Sequence, residues 1–142
     1  MSDEASKADG HAGAGARKQT ESFERGLKTR REVLGDAYVD ASLQKATDFS
    51  WPIQKLVTEY CWDEIWNRPG LSRRDRSILN LGMISALNRQ HELRTHVRGA
   101  LNNGLSREEI TEILLQVAIY CGVPAAIDGF RSAQQVLDEL AD

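Results

Sequence analysis

Signals that start and stop helices recur along this chain and constrain its fold more than any other feature. Ser106 and Glu109 stand three residues apart in the capping-box pattern of a helix start, and Ser72 followed by Asp75 is a similar start signal. Glycines, which commonly follow the last residue of a helix, stand at the predicted helix ends Gly35, Gly104 and Gly122. Together these signals predict a helical domain.

Apolar residues recur at helical spacing from about Lys18 to the end of the chain. The predicted helices span residues 18–35, 36–48, 51–67, 72–88, 88–104, 106–121 and 124–141. Ser50 is predicted to cap the third helix, with Pro52 in its first turn. No window alternates apolar and polar residues with the β-branched character of a strand, so the predicted fold class is all-α.

The fourth predicted helix, SRRDRSILNLGMISALN, is strongly apolar. Its apolar residues lie around most of the circumference, at Ile78, Leu79, Leu81, Met83, Ile84 and Leu87. A helix that is apolar on all sides is normally buried. We therefore expect this segment to be the central, mostly buried helix of the domain.

Composition separates a tail from a single domain. Residues 1–17 are rich in Gly, Ala and Ser and lack apolar periodicity, which predicts a disordered tail in which His11 has no role. Residues 18–142 are then one domain, and a chain of 142 residues can bury roughly 70% of its unfolded surface without disulfides. Cys61 and Cys121 lie far apart in helical contexts, which suits a reducing compartment.

Charge and hydropathy argue against several classes of partner. A net charge of −3 disfavours nucleic acid or an anionic membrane bound by the whole surface. No apolar run approaches the roughly 20 residues of a membrane span, and the N-terminus has no signal-peptide pattern. We therefore expect a cytoplasmic protein that binds neither nucleic acid nor membrane.

The fifth predicted helix carries two of the three histidines, in the run HELRTH at residues 91–96. A zinc-protease helix has histidines four residues apart, which places both on one face. His91 and His96 are five residues apart and point in different directions, since each residue turns a helix by about 100°. The run therefore predicts no metal site.

Glu92 and His96 are four residues apart and share a helix face. His96 borders the apolar stripe of this helix, and Arg89 extends the polar row towards the helix start. A neighbouring carboxylate fixes the tautomer of an imidazole and raises its basicity, as general acid–base catalysis requires. The same spacing suits a half-buried structural pair, which is the commoner case, so spacing alone leaves both interpretations open.

Three longer segments carry a resemblance to a known family. They are ERGLKTRREVLGDAYVD, RPGLSRRDRSILNLGMISAL and ELRTHVRGALNNGLSREEITEILLQVAIYCGVPAAIDGFRSA, in which HVRGALNNG and QVAIYCGVPAA are the specific motifs. The chain resembles the γ-carboxymuconolactone decarboxylase family from about Glu24 to Leu137. The resemblance implies an all-helical alkyl-hydroperoxidase D-like bundle and a homo-oligomer, usually a trimer or hexamer.

The same superfamily has a peroxidase branch with a C-x-x-C-x-x-x-H motif on the corresponding helix. Aligning the histidine of that motif with His96 puts its cysteine positions at Arg89 and Glu92. Cys61 and Cys121 cannot replace them locally, so the thiol chemistry lacks both its nucleophile and its resolving thiol. An antioxidant of the alkylhydroperoxidase or peroxiredoxin type is thus disfavoured, while a non-catalytic paralogue of the fold stays open.

The resemblance implies decarboxylation of 4-carboxymuconolactone (γ-carboxymuconolactone) to β-ketoadipate enol-lactone, in the degradation of protocatechuate. The electrons of the broken bond pass through the butenolide to its lactone carbonyl, so the ring is the electron sink and no cofactor or metal is required. We expect His96, oriented by Glu92, to donate a proton or to stabilise the dienolate, with a contribution from Arg89.

The substrate would be a dicarboxylate, and arginines at the start of the fourth helix can bind it. Cations in a first turn oppose the helix dipole, so Arg73, Arg74 and Arg76 make better sense there if an anion binds to them and to the free backbone N–H groups. Arg76 is expected inside; solvated arginines paired with acidic residues are the alternative. Tyr120 is a further substrate-binding candidate.

An aromatic stripe in the third predicted helix has a structural interpretation. Its members are Tyr60, Trp62, Ile65 and Trp66. Large aromatic side chains commonly fill cores and subunit interfaces. We therefore expect the stripe to be core or interface in preference to a substrate platform.

Overall fold

The computed structural model describes Arg17 and residues 19–142. The prediction of no role for His11 concerns a residue outside this part of the chain, and of the predicted tail, residues 1–17, the structure describes only Arg17. Its guanidinium pairs with Asp48 at 3.2 Å and lies 4.4 Å from the ring centroid of Trp51. The helices of the described part are α1 (Glu21–Leu34), α2 (Asp36–Gln44), α3 (Trp51–Leu56), a π-helical segment (Val57–Ile65, the π segment), α4 (Arg73–Ala86), α5 (Gln90–Asn102), α6 (Arg107–Cys121) and α7 (Val123–Ala141). The described residues form no strand, which confirms the all-α class.

The local signals identified most helix ends correctly. The side chain of Ser106 accepts a hydrogen bond from the backbone N–H of Glu109, and the Glu109 carboxylate accepts one from Ser106 in return. Ser72 caps α4 in the same way, through the N–H of Asp75. The three stop glycines all have positive φ angles, which only glycine adopts easily: Gly35 (88°), Gly104 (92°) and Gly122 (102°).

The third predicted helix is wrong in two details. Ser50 does not cap α3, because its backbone is helical (φ −94°, ψ −10°) instead of extended, and its hydroxyl bonds to Thr47. The helix also does not continue as an α-helix. After Leu56 it widens into the π segment, where for example the N–H of Trp66 donates to the carbonyl of Cys61 at 3.0 Å, five residues earlier.

Close packing against α1 holds the π segment in place. Gly26 of α1 lies so near this segment that an added Cβ would overlap the carbonyl oxygen of Thr58. Asp63 of the π segment is 8% exposed and accepts two hydrogen bonds from Arg25, at 3.1 and 2.9 Å. Arg25 holds the pKa of the Asp63 carboxyl below its usual value. The two helices are therefore joined by a backbone contact and an ion pair.

The core has two parts. One part lies among α4, α5, α6 and α7 and is built from Leu81, Leu93, Val97, Ala100, Leu105, Ile110, Leu114, Ala133 and Val136. The other lies among α1, α2 and the π segment and is built from Val33, Leu34, Val39, Trp62 and Trp66. Helix α5 packs against α1, α4 and α7, so it connects both parts.

The prediction that the fourth helix is mostly buried is wrong for this chain. Helix α4 packs on one side against α5, α6 and α7, and its buried residues are Ser77, Leu81 and Ser85. Its opposite side exposes large apolar side chains: Leu79 (49%), Met83 (52%) and Leu87 (71%). Apolar residues all round a helix therefore do not mean burial within one chain, and α4 has an apolar face that this chain leaves uncovered.

None of the helices in the described part of the chain combines the length and the apolar character needed to cross a bilayer.

Candidate active site

His96 lies on the side of α5 that faces the π segment and α4. Its imidazole is nearly parallel to two indole rings, at 7° to Trp62 and 18° to Trp66, with ring centroids 6.4 Å apart in both pairs. The two indoles stack on each other with centroids 4.8 Å apart. His96 is therefore half-buried against an aromatic wall and is not directed into open solvent.

The π segment divides the predicted aromatic stripe. Trp62 and Trp66 are 3% and 5% exposed and belong to the core, as predicted, but they also form the wall beside His96. Tyr60 and Ile65 of the same segment are 64% and 41% exposed. The stripe is thus core on one side only, and π-helical turns are frequent at functional sites.

Asn80 of α4 is the polar partner of His96. Its side-chain nitrogen Nδ2 lies 3.4 Å from Nδ1 of the imidazole, and the contact is partly buried. Sequence reasoning did not single out Asn80. The available signal was an amide in the middle of an otherwise apolar helix, one turn after Arg76.

Burial controls the charge state of His96. Removal from water lowers the pKa of the imidazole below 6.5, and the negative charge of Glu92 opposes this to a smaller extent. A pKa below 6.5 means that His96 is mainly neutral at pH 7. Its solvent-shielded position, more than its acidic neighbour, therefore determines its protonation.

Glu92 and Arg89 are less closely associated with His96 than the spacing suggested. Glu92 is exposed, and among the described residues the hydrogen-bond partner of the imidazole is Asn80. Arg89 is exposed at the N-cap of α5, with φ −100° and ψ 75°, outside the helix proper. Both residues lie at the rim of the site.

The three arginines at the start of α4 have different surroundings. Arg73 pairs with Glu32 at 2.6 Å, and Arg74 pairs with Glu109. Arg76 is half-buried, donates from Nη2 to the backbone carbonyl of Arg68 at 3.2 Å, and has a buried Nε without a partner in the described part of the chain. Arg76 thus carries a buried N–H group, unpaired among the described residues, one helical turn from Asn80.

Tyr120 lies on a groove that is separate from His96. It is 79% exposed and lines an open groove of about 580 Å³ between α4 and α6. The apolar side chains of this groove include Ile78, Leu79, Met83, Ile113 and Val117, whereas His96 does not line it. The structure therefore does not bring Tyr120 together with the histidine.

The two cysteines are free thiols, Cys61 half-buried and Cys121 exposed. Burial raises the pKa of the Cys61 thiol, which disfavours the reactive thiolate. Cys61 belongs to the π segment and Cys121 ends α6, so neither lies on α5 at the cysteine positions of the thiol-peroxidase motif. This geometry agrees with the low expectation of peroxidase chemistry.

Comparison with known proteins gives the family. Residues 52–135 match the model of the carboxymuconolactone decarboxylase family. The chain is 43% identical over 120 residues to the nitrosuccinic acid decarboxylase of Metarhizium robertsii, covering 84% of each protein. It is 37% identical over 118 residues to the 4-carboxymuconolactone decarboxylase of Acinetobacter baylyi, covering 83% of this chain and 88% of that enzyme. The chain therefore belongs to the carboxymuconolactone decarboxylase family.

Proposed function

We propose that this protein is a carboxy-lyase that removes CO₂ from 4-carboxymuconolactone without a cofactor. The observation that carries the proposal is the half-buried His96, held between an aromatic wall and Asn80, with the half-buried Arg76 one helical turn before Asn80. Similarity to two decarboxylases supports the reaction class, and similarity to the Acinetobacter baylyi enzyme supports this substrate.

The reaction makes three demands on the protein. When the bond between the ring carbon and the leaving carboxylate breaks, its electron pair moves through the butenolide onto the lactone carbonyl oxygen, and CO₂ departs. The resulting dienolate must be stabilised, the dianionic substrate must be bound, and the ring carbon must finally receive a proton. Preorganised donors aimed at the developing oxyanion commonly supply the largest part of such stabilisation.

The site residues divide these tasks. Arg76 binds the carboxylate that is retained, because a tight grip on the leaving carboxylate would stabilise the ground state as well. His96 meets the dienolate oxygen. Trp62 and Trp66 exclude water on one side, which strengthens both polar interactions. Glu92 and Arg89 act from the rim, and Arg73 and Arg74, each paired with an acidic residue, stand at the start of the same helix as Arg76.

Nitrosuccinate is a second candidate substrate, favoured by the 43% identity to the Metarhizium robertsii enzyme. Its nitro group accepts the electron pair of the broken bond as the lactone carbonyl does, so the product of CO₂ loss is a nitronate. Both compounds are dicarboxylates whose decarboxylation places negative charge on oxygen. One arginine and one oxyanion donor therefore suit either substrate.

We also infer that copies of the chain assemble into a homo-oligomer through the uncovered face of α4. Leu79 and Met83 lie three residues from Arg76 and Asn80 respectively, so the apolar face borders the candidate site. Helix α6 also leaves a large apolar side chain uncovered, Ile119, which is 80% exposed. A neighbouring copy packed here would bury apolar area and cover the open side of the site; a trimer or hexamer is the expected size.

A direct assay tests the function. The full-length protein is incubated with 4-carboxymuconolactone and, separately, with nitrosuccinate, and CO₂ release is followed. Turnover of the lactone supports the proposal. A preference for nitrosuccinate would mean that the protein is a decarboxylase with nitrosuccinate as its substrate. No turnover of either compound by the correctly assembled protein contradicts it. Hydroperoxide reduction that depends on Cys61 or Cys121 would instead restore the antioxidant alternative.

A further inference from the structure

We propose that Asn80 is a positioning residue that holds His96 as a neutral imidazole with its proton on Nε2. In this state His96 stabilises the dienolate as a hydrogen-bond donor and does not act as the acid that protonates the ring carbon. The role of His96 in stabilising the dienolate rests on the proposed function, whereas the tautomer held by Asn80 does not depend on it.

The contact between the two side chains links the orientation of the Asn80 amide to the nitrogen of His96 that carries the proton. The amide nitrogen of Asn80 faces Nδ1 of His96, and an amide nitrogen can donate but not accept. Nδ1 must then accept, so the single proton of the neutral ring sits on Nε2. The opposite amide orientation would place Oδ1 against Nδ1 and would require the opposite tautomer. The two arrangements therefore differ in a proton position that can be measured.

The surroundings of His96 favour the neutral ring. The neighbours from the π segment, Trp62 and Trp66, and the neighbour from α4, Asn80, are all uncharged. Within residues 19–142, the charged group that shifts the pKa of the imidazole is Glu92 on α5 itself, and it is exposed. An exposed carboxylate is screened by water and stabilises an imidazolium only weakly.

A neutral imidazole has a defined role in this reaction. Its Nε2–H donates a hydrogen bond to the lactone oxygen as negative charge develops there, and the proton stays on the imidazole. A buried neutral histidine can serve as such an electrophile, as in triosephosphate isomerase. The ring carbon then takes its proton from a water molecule, and the hydroxide left behind is neutralised by the solvent. Protonation is thereby separated from oxyanion stabilisation.

Nitrogen-15 NMR of the full-length protein, labelled at histidine, reads the tautomer directly. The signals of His96 are those lost in His96→Gln, which separates them from His11 and His91. We expect a protonated Nε2 and an unprotonated Nδ1 at pH 7 and above, because burial lowers the pKa of His96 below 6.5. A proton on Nδ1, or an imidazolium at pH 7, would overturn the proposal whether or not the protein is a decarboxylase.

Two substitutions connect the tautomer to activity. Asn80→Asp places an acceptor opposite Nδ1, so the proton should move to Nδ1 and the ring should titrate at higher pH. Asn80→Ala removes the donor and leaves the tautomer free. We expect both to lower kcat about tenfold or more with a smaller change in KM, and Asn80→Asp to add a new ionisation to the pH profile of kcat. Gln135→Glu on the exposed side of α7 controls for the added charge.

The outcomes separate the two hypotheses. A protein that decarboxylates neither substrate yet shows the Nε2–H tautomer contradicts the proposed function and leaves the role of Asn80 in holding the tautomer intact. Wild-type kcat and pH profile in both Asn80 variants, with turnover present, would overturn the inference alone. Circular dichroism of each variant verifies that the helical fold is retained.

Discussion

The imidazole of His96 lies at 7° to the indole plane of Trp62, although the two residues belong to separate helices 34 positions apart in the chain. The contact joins α5 to the π segment and removes one face of the imidazole from water. Burial of the imidazole lowers its pKa, so the fold sets both the position and the charge of this side chain. The candidate site is therefore a product of tertiary packing.

Arg76→Gln is expected to weaken substrate binding. A charge-assisted hydrogen bond contributes roughly 1.5–3 kcal/mol, so its loss should raise KM about ten- to hundredfold. Arg107→Gln, at the exposed start of α6, is the matched control and should leave KM unchanged. Steady-state kinetics measure both. An Arg76→Gln enzyme with the KM and kcat of the wild type would remove Arg76 from the site.

His96 should make the protein less stable in mild acid. Its pKa in the folded state lies below the ordinary value of 6.5, so the unfolded chain takes up a proton first as the pH falls. The free energy of unfolding should therefore fall as the pH drops from 6.5 towards the folded-state pKa. Urea titrations at several pH values should show a weaker decline for His96→Gln than for the wild type. If the free energy of unfolding fell equally with pH in the two proteins, a neutral, half-buried His96 would be contradicted.

Gly26→Ala should destabilise the fold strongly. The added methyl group would overlap the carbonyl oxygen of Thr58, and the two backbones would have to separate. We expect a loss of about 3 kcal/mol in the free energy of unfolding, at the upper end for an overpacked core. Gly82→Ala in α4 is the control, because its Cβ would meet no atom within 4 Å. Equal stabilities of the two variants would contradict the close packing of α1 on the π segment.

A charge on the apolar face should disrupt assembly. Met83 and Ile119 are 52% and 80% exposed in the single chain. The substitutions Met83→Glu and Ile119→Glu each replace one of these apolar side chains with a carboxylate. Neither change should unfold the protomer, but burial of an unpaired charge at an interface is costly. Light scattering should show smaller particles than for the wild type. Leu140→Glu, near the end of α7 and 53% exposed, should assemble normally.

The helix ends were predictable because their causes are local. A capping box needs only Ser106 and Glu109, and a stop glycine needs only its own positive φ angle. The π segment was not predictable in this way. Its widened turns depend on α1 lying close enough for Gly26 to contact Thr58, and residues 32 positions apart do not show this in a periodic pattern.

The site was predicted in part. The helix position of His96 beside the apolar stripe of α5 followed from spacing, and the partner of its imidazole did not, because Asn80 comes from another helix. Glu92 was chosen from the i, i+4 spacing, yet a shared face does not bring an exposed carboxylate into contact with a half-buried ring. Among the three arginines, Arg76 was the one expected inside. The pairing of the other two with Glu32 and Glu109 depends on how the helices pack, so the sequence could not show it.

The most direct test of the central claim is kcat for His96→Gln beside His91→Gln, on whichever of the two substrates the wild type decarboxylates. His91 is exposed on the same helix and provides a matched control. We expect kcat to fall about 10²-fold or more in His96→Gln, the typical effect of removing an oxyanion donor, and to stay near normal in His91→Gln. A correctly assembled His96→Gln enzyme with kcat within about twofold of the wild type, far from the loss expected on removing such a donor, would contradict that claim.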